Sequence, residues 1–159
     1  MKALMVYFTM GGRTKKMAEA IASNLSNYEV TFFPFELKGS FIGKIRLLDE
    51  FENGDYSSFE GDFSILDAEP YNLILIGMPT YGSEPPKTYY ELTTRMNDLN
   101  GKRVVLFGTS RFRRGSHLQV MKENVEAKGG EVIEQRNFRG LLILGTKKAI
   151  EFGEMINRL

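Results

Sequence analysis

Runs of apolar residues without polar interruption recur along the chain and predict buried strands. Leu73-Ile74-Leu75-Ile76 is typical. Such a run lacks the alternation of a half-exposed strand, so both faces of its sheet are expected to be covered. Pro34 and the polar Glu36 are expected to end the second strand. We predict strands over 3–8, 29–35, 71–77 and 104–107, and a last one over 131–138 and 141–144 that is either continuous or broken near Gly140.

Between the strands lie segments whose apolar residues recur with helical spacing. Met17, Ile21 and Leu25, for example, share one face of the first such segment. Ser40 and Thr146 stand where N-caps are expected, because their hydroxyls can accept a hydrogen bond from the first helical turn. We predict helices over 15–27, 41–52, 85–97, 117–128 and 146–159, and a loop over 53–70.

Strand and helix alternate five times, with no internal repeat or linker between them. This alternation predicts a parallel sheet covered by helices on both faces. Residues 1–159 are therefore expected to form one doubly wound α/β domain with a five-stranded sheet. Ligands of such sheets bind at the carboxyl ends of the strands, where the strand order reverses. For the order 2-1-3-4-5 this point lies between strands one and three, so the loops after strands one, three and four are expected to carry the chemistry.

The turn after the first strand indicates a phosphate-binding loop. A helix that begins after a glycine turn directs unpaired backbone N–H groups and the positive end of its dipole at the turn. A triphosphatase loop would need a Lys directly after its last glycine, and a dinucleotide fingerprint needs glycines spaced G-x-G-x-x-G. Neither pattern is present; the remaining pattern is hydroxyl-x-x-Gly-x-Thr, within the run Thr9-Met10-Gly11-Gly12-Arg13-Thr14.

The loops after strands three and four are rich in aromatic, small and basic residues. A turn between buried elements needs few aromatics, so Tyr81 and Phe112 are unexpected in these positions. The first of these loops reads Gly77-Met78-Pro79-Thr80-Tyr81-Gly82-Ser83-Glu84-Pro85, and the second reads Gly108-Thr109-Ser110-Arg111-Phe112-Arg113-Arg114-Gly115.

Taken together, the three turns resemble those of the flavodoxins. The flavodoxin phosphate loop usually reads Ser/Thr-x-Thr-Gly-Asn-Thr, which this chain matches at Thr9, Gly12 and Thr14. The chain departs from it at Gly11, which loses a hydroxyl, and at Arg13, which replaces Asn. Gly-x-Pro-Thr-Tyr-Gly at 77–82 is similar to the second flavin-contacting loop, and Phe-Gly-Thr-Ser at 107–110 is similar to the start of the third. The resemblance covers essentially the full length, and each motif follows the corresponding strand.

The resemblance implies an FMN cofactor and the strand order 2-1-3-4-5. The FMN phosphate would lie in the first loop, where Gly11 offers a backbone N–H and Arg13 either pairs with the phosphate or points into solvent. The flat ring would lie between the other two loops, with Tyr81 stacked on it and Phe112 either a second stacking residue or a cover of the sheet edge. The cofactor-binding residues are then expected to be Thr9, Met10, Gly11, Gly12, Arg13, Thr14, Pro79, Thr80, Tyr81, Gly82, Thr109, Ser110, Arg111, Phe112 and Gly115.

The composition of the chain excludes several kinds of catalytic and metal site. Cysteine is absent, which excludes disulfides, thiolate catalysis and Cys-ligated metals. His117 is the one histidine; it argues against a His-based metal site or catalytic triad and is expected to be solvated. A net charge of +1 gives no support to nucleic-acid binding, and no apolar run approaches the ~20 residues of a membrane span. Because the first segment is a strand and not a signal sequence, we expect a cytoplasmic protein.

Charged residues are unevenly distributed along the chain. Residues 49–69 include eight acids and no Lys or Arg, whereas residues 101–122 include six Lys or Arg and no acid. Such a bipolar surface can orient a docking partner, or it can simply be solvated. Arg111, Arg113 and Arg114 are expected near the ring, where they would raise the potential of its second reduction step unless their side chains reach into water.

Three functions are compatible with these patterns. The first is an electron carrier that uses FMN to exchange electrons with redox partner proteins; the second is an FMN-dependent NAD(P)H:quinone-type reductase; the third is a flavodoxin fold that binds no flavin and serves as an interaction module. The short chain shows no second nucleotide motif, which favours the carrier, whereas the basic third loop favours the reductase. The departures at Gly11 and Arg13 keep the third function open.

Overall fold

The computed structural model describes residues 1–36, 41–55, 57, 61–80, 83–96, 98–111, 116–140 and 144–159, apart from the side chains of Glu36, Phe41, Leu48 and Glu52. The strands are β1 (Lys2–Thr9), β2 (Glu29–Glu36), β3 (Leu73–Pro79), β4 (Arg103–Ser110) and β5 (Glu131–Arg139). The helices are α1 (Arg13–Ala22), α2 (Phe41–Glu52), α3 (Lys87–Arg95), α4 (His117–Ala127) and α5 (Lys147–Ile156), and a 3-10 turn spans Phe63–Leu66.

The five strands form one parallel sheet in the order β2-β1-β3-β4-β5, which confirms the predicted fold class. Alternate residues of β1 enter two separate cores. Leu4 and Val6 pack on the side that α3 and α4 cover, whereas Ala3 and Met5 pack on the side of α1 and α5. All four are fully buried, so the uninterrupted apolar runs reflect a sheet covered on both faces.

The second strand ends one residue beyond the predicted range 29–35, and Pro34, which was expected to help end it, lies within it. β2 continues through Pro34 to Glu36, with Pro34 in register with Tyr7 of β1. Within the described sheet, β2 is an edge strand that pairs with β1 alone. A proline is tolerated there because its missing N–H is not needed for a second neighbour. At the other edge, β5 ends at Arg139, and Leu144 lies outside any strand. The rest of the predicted segment 141–144 lies outside the described residues.

Several helix ends also differ from the prediction. α1 begins at Arg13 and stops at Ala22, five residues before the expected end. Thr146 occupies the N-cap position of α5, but its backbone is helical (φ −83°, ψ −17°) and its side chain makes no capping hydrogen bond. Capping needs extended backbone at this position so that the hydroxyl can reach back to the first turn. Ser40 lies outside the described residues.

The segment predicted as a loop over 53–70 holds the 3-10 turn, which begins with a local cap. The Ser64 backbone N–H donates to Asp62 Oδ1 at 3.0 Å, and Leu66 at the end of the turn is fully buried. Phe63, Ile65 and Leu66 are three apolar residues within a single turn, which is too short a stretch for sequence periodicity to detect. None of the described helices is both long and apolar enough to cross a membrane.

Candidate functional site

The turn between β1 and α1 has the geometry of an anion cradle. Gly12 is the residue before the first helical turn, and its φ of +78° lies in the left-handed region that favours glycine. The first helical hydrogen bond runs from the Lys16 N–H to the Gly12 carbonyl at 3.0 Å. The backbone N–H groups at the start of α1 lie at the positive end of the helix dipole and face the turn.

Space in front of the turn is open. A Cβ built at Gly11 or Gly12 would have no atom of the described structure within 4 Å. Both glycines are exposed, whereas Thr9 and Thr14 on either side are buried. An anion can therefore approach the backbone closely at the glycines, and this open, glycine-lined helix start fits a phosphate group.

Hydrogen bonds join the three loops that the sequence singles out. The hydroxyls of Thr14 and Thr109 lie 2.9 Å apart in the interior. The Thr80 backbone N–H donates to the Thr109 carbonyl at 3.0 Å. Thr109 thus connects the start of α1 with the end of β3. The loops that follow β1, β3 and β4 (the first, second and third loops) therefore begin next to one another, joined by these hydrogen bonds.

Arg13 makes contacts that neither sequence expectation included. Its guanidinium donates to the carbonyls of Ser110, at 3.5 Å, and Gly140. The Gly140 N–H in turn donates to the Ser110 carbonyl at 3.2 Å. The expectation of a solvent-directed side chain is wrong, because Arg13 is half-buried and ties α1 to the ends of β4 and β5. The pairing of Arg13 with a phosphate stays a prediction.

His117 is buried, not solvated as expected. The side chain is fully inaccessible at the first residue of α4, and Thr80 Oγ1 lies 3.1 Å from each of its ring nitrogens. The ring packs against Gly108, where an added Cβ would collide with Nε2. A buried imidazole needs polar partners, and Thr80 supplies one. Position 108 must therefore be glycine to make room for the ring of His117, a residue that we predicted to lie at the surface.

Asn137 and Lys44 belong to the surroundings of the site, and sequence reasoning missed both. Asn137 Nδ2 donates to Ser110 Oγ at 3.0 Å, while its Oδ1 is buried without a hydrogen-bond partner in the described structure. Lys44 of α2 reaches the Met10 carbonyl at 3.5 Å. For Asn137, an amide within an otherwise strand-like segment could have indicated a polar role. For Lys44 no local pattern indicates a role, because its contact with Met10 spans 34 residues.

The structure brings most of the predicted residues to one edge of the sheet and leaves a few outside its description. Pro79 and Ser110 end β3 and β4, and Thr80 and Thr109 are next to them in the chain, beside the connection from β1 to α1 that holds residues 9–14. Arg111 is exposed. The predicted site residues Tyr81, Gly82, Phe112 and Gly115, together with Arg113 and Arg114, lie outside the described residues. Among the described side chains, no group of three or more His, Asp or Glu residues could hold a metal ion.

Comparison with solved structures assigns the fold. Over 99% of its length, and 94% of the other chain, the protein matches a flavodoxin from the domain Archaea with a TM-score of 0.65 at 19% identity. It matches oxidised flavodoxin 1 from Bacillus cereus with a TM-score of 0.64 at 21% identity, covering 100% of this chain and 99% of that one. No protein-family model and no curated protein matches the sequence.

A third solved structure with this fold contains FMN. A flavoprotein from Lactobacillus acidophilus NCFM, solved in complex with FMN, matches with a TM-score of 0.60 at 24% identity, over 86% of this chain and 92% of that one. The protein therefore has the flavodoxin-like fold. At these identities the likeness establishes the chain path and the sheet topology.

Proposed function

We propose that the protein binds FMN at the carboxyl ends of β1, β3 and β4 and uses it to carry electrons between redox partners. The observation that carries the proposal is the convergence of the three loops: Thr14 and Thr80 both bond to Thr109. Beside this junction lies the open glycine turn at the start of α1. The likeness in fold to flavodoxins, and to a flavoprotein solved with FMN, supports the same site.

Each part of the site has a separate task toward the cofactor. Bound FMN would supply the redox chemistry, because its ring accepts and donates one or two electrons. The backbone N–H groups at the start of α1 would hold the phosphate, with Gly11 and Gly12 admitting it to the backbone. The ends of β3 and β4 would position the second and third loops along the ring. Thr109 would keep the phosphate turn and the ring loops in fixed relation.

Flavin titration tests the proposal directly. Purified protein freed of flavin is titrated with FMN and, in parallel, with riboflavin, and the quenching of flavin fluorescence is followed. We expect a yellow complex with FMN and weaker binding of riboflavin, since riboflavin lacks the phosphate. A colourless protein without affinity for FMN would contradict the proposal and favour an interaction module. Oxidation of NAD(P)H by the FMN-loaded protein with a quinone acceptor would favour a reductase over a carrier.

Two glycine variants locate the phosphate site. Gly12 and Gly101 both have a positive φ, +78° and +69°, and an added Cβ at either would meet no described residue beyond its chain neighbours within 4 Å. Gly12→Ala and Gly101→Ala therefore impose a similar backbone strain, about 1–2 kcal/mol. Gly101 lies before β4, at the opposite edge of the sheet. We expect Gly12→Ala to weaken FMN binding about tenfold beyond its effect on riboflavin, and Gly101→Ala to leave both affinities unchanged.

A further inference from the structure

The carboxyl edge of the sheet, around the proposed flavin site, carries an excess of positive charge. Strand ends and first helical turns lie at this edge. Among the side chains described there, Glu84 is the exposed acid. The exposed cations at this edge are Lys16, Lys87, Arg111, Arg139, Lys147 and Lys148. We call this surface the positive face.

The opposite, amino edge carries a weaker charge of the reverse sign, because Lys2, Arg95 and Arg158 are also exposed there. Exposed acids lie at or near the strand starts and helix ends there: Glu29, Asp55, Glu69, Asp98 and Glu131. Two lysines of this edge are engaged with backbone carbonyls. Lys102 Nζ donates to Glu69 O at 2.8 Å and to Tyr71 O at 3.2 Å, and Lys128 Nζ donates to Thr93 O at 2.9 Å. The basic run over 101–122 is thus divided by the fold, since Lys102 and Arg111 stand at opposite ends of β4.

Helix stability does not account for the positive face. The positive end of a helix dipole favours acids in the first turn and disfavours cations. None of the five described α-helices has an acid in its first turn. α5 instead begins with Lys147 and Lys148, and α3 begins with Lys87. Cations placed against this preference on several separate elements indicate selection for the electrostatic potential of the surface.

We propose that the positive face docks the carboxylate-rich surface of a redox partner protein. This inference rests on the proposed function, because it places the partner over the edge where the flavin ring would be accessible. A surface of one sign that surrounds a reaction site steers a partner of opposite sign and accelerates encounter. The amino edge, with its exposed acids, repels the same partner and thereby orients the approach.

The test measures electron transfer to acceptors of opposite charge. Reduced, FMN-loaded protein is mixed in a stopped-flow instrument with the acidic soluble domain of cytochrome b5 or with basic cytochrome c, over a range of ionic strength. We expect the rate constant with cytochrome b5 to fall as salt rises, because salt screens the attraction. With cytochrome c it is expected to rise or stay constant. Equal salt dependence for the two acceptors would overturn the proposal.

Charge-reversal variants assign the effect to the positive face. Lys147→Glu/Lys148→Glu changes the charge by four at this face and leaves the residues proposed to bind flavin intact. Lys2→Glu/Arg158→Glu makes the same change at exposed residues of the amino edge. At low salt we expect the first pair to slow reduction of cytochrome b5 about tenfold, and the second pair to change it less than twofold. Equal slowing by both pairs would show an effect of net charge alone and contradict the docking face.

A binding experiment without flavin separates this proposal from the proposed function. Flavin-free protein is titrated into cytochrome b5, and the dissociation constant is followed against salt for the wild type and both pairs of variants. Weaker binding of Lys147→Glu/Lys148→Glu alone supports the docking face whether or not FMN binds. If the protein binds cytochrome b5 in this way but has no affinity for FMN, only the proposed flavin function is contradicted. If it binds FMN but its binding to cytochrome b5 does not depend on these charges, only the docking role of the positive face is contradicted.

Discussion

The hydroxyl groups of Thr14 and Thr109 lie 2.9 Å apart, and their hydrogen bond joins the start of α1 to the end of β4 across 95 residues of sequence. Both residues are buried, at 1% and 3% exposure. Neither hydroxyl can exchange its partner for bulk water, so the pair holds the turn between β1 and α1 against β4.

A double-mutant cycle measures this coupling. Thr14→Val leaves the Thr109 hydroxyl buried and unpaired, and we expect a loss of about 1–3 kcal/mol in the free energy of unfolding. The double variant Thr14→Val/Thr109→Val is expected to lose about 1 kcal/mol less than the sum of the single variants. Urea unfolding gives the values. Thr88→Val is the matched control: its hydroxyl is buried without a partner in the described structure, so the change is expected to be neutral or stabilising. Strictly additive losses at positions 14 and 109 would contradict the contact.

Arg13 variants distinguish a positioning residue from a phosphate ligand. Its guanidinium donates to the carbonyls of Ser110 and Gly140, so its loss is expected to loosen the ends of β4 and β5 beside the proposed flavin site. We expect Arg13→Ala to weaken FMN and riboflavin binding to the same degree, about tenfold, and to lower the free energy of unfolding by about 1.5–3 kcal/mol. Isothermal titration with both flavins and urea unfolding check this. A selective loss of FMN affinity would instead assign Arg13 to the phosphate.

Gly153 allows α5 to pack closely against α1. A Cβ at this position would lie 2.5 Å from the backbone carbonyl oxygen of Ile21, which cannot rotate away. Alanine in a helix interior gains about 1 kcal/mol in helix propensity, but overpacking against backbone costs about 1–3 kcal/mol. We expect Gly153→Ala to lower the thermal midpoint by several degrees. Gly145→Ala, at an exposed site with open space, is the control and is expected to leave it unchanged.

Tyr89 makes the protein sensitive to alkaline pH. Burial, and to a lesser extent the neighbouring Tyr90, raises the pKa of the Tyr89 phenol well above its usual value. The phenol hydroxyl donates to the Met121 carbonyl at 3.0 Å and to Asn124 Oδ1 at 3.2 Å. Below the ordinary tyrosine pKa of about 10, both folded and unfolded states hold this proton, and the stabilisation is complete. Above it the unfolded state loses the proton first, so stability falls as pH rises.

Urea midpoints at pH 8 and pH 10.5 test this dependence. We expect Tyr89→Phe to lose about 1 kcal/mol at pH 8 and to show a smaller further loss at pH 10.5 than the wild type. Tyr90→Phe is the control, since Tyr90 is 39% exposed. In the Tyr90 variant the urea midpoint is expected to fall between pH 8 and pH 10.5 by nearly as much as in the wild type. The same decline in the wild type and in Tyr89→Phe would contradict a role for the buried phenol.

Local patterns were sufficient to predict the order of elements. An uninterrupted run such as Leu73-Ile74-Leu75-Ile76 encodes burial on both faces, and helical spacing at Met17 and Ile21 encodes a face turned to the sheet. These signals depend on neighbours in sequence, which is why the alternation and the fold class were predictable. The passage of β2 through Pro34 was not, because it depends on which strand lies at the sheet edge.

By itself, the sequence determined the architecture and the three loops at the carboxyl edge, since glycine turns and apolar runs act within a few residues of the chain. Only the tertiary structure decided where the polar side chains go. It turned Arg13 onto the carbonyls of Ser110 and Gly140, and it buried His117 against Gly108 beside Thr80. It also divided one basic run between opposite edges of the sheet. The hydrogen bonds of Arg13 and His117 join residues 37 to 127 positions apart in the chain, so their energies depend on contacts that no local pattern records.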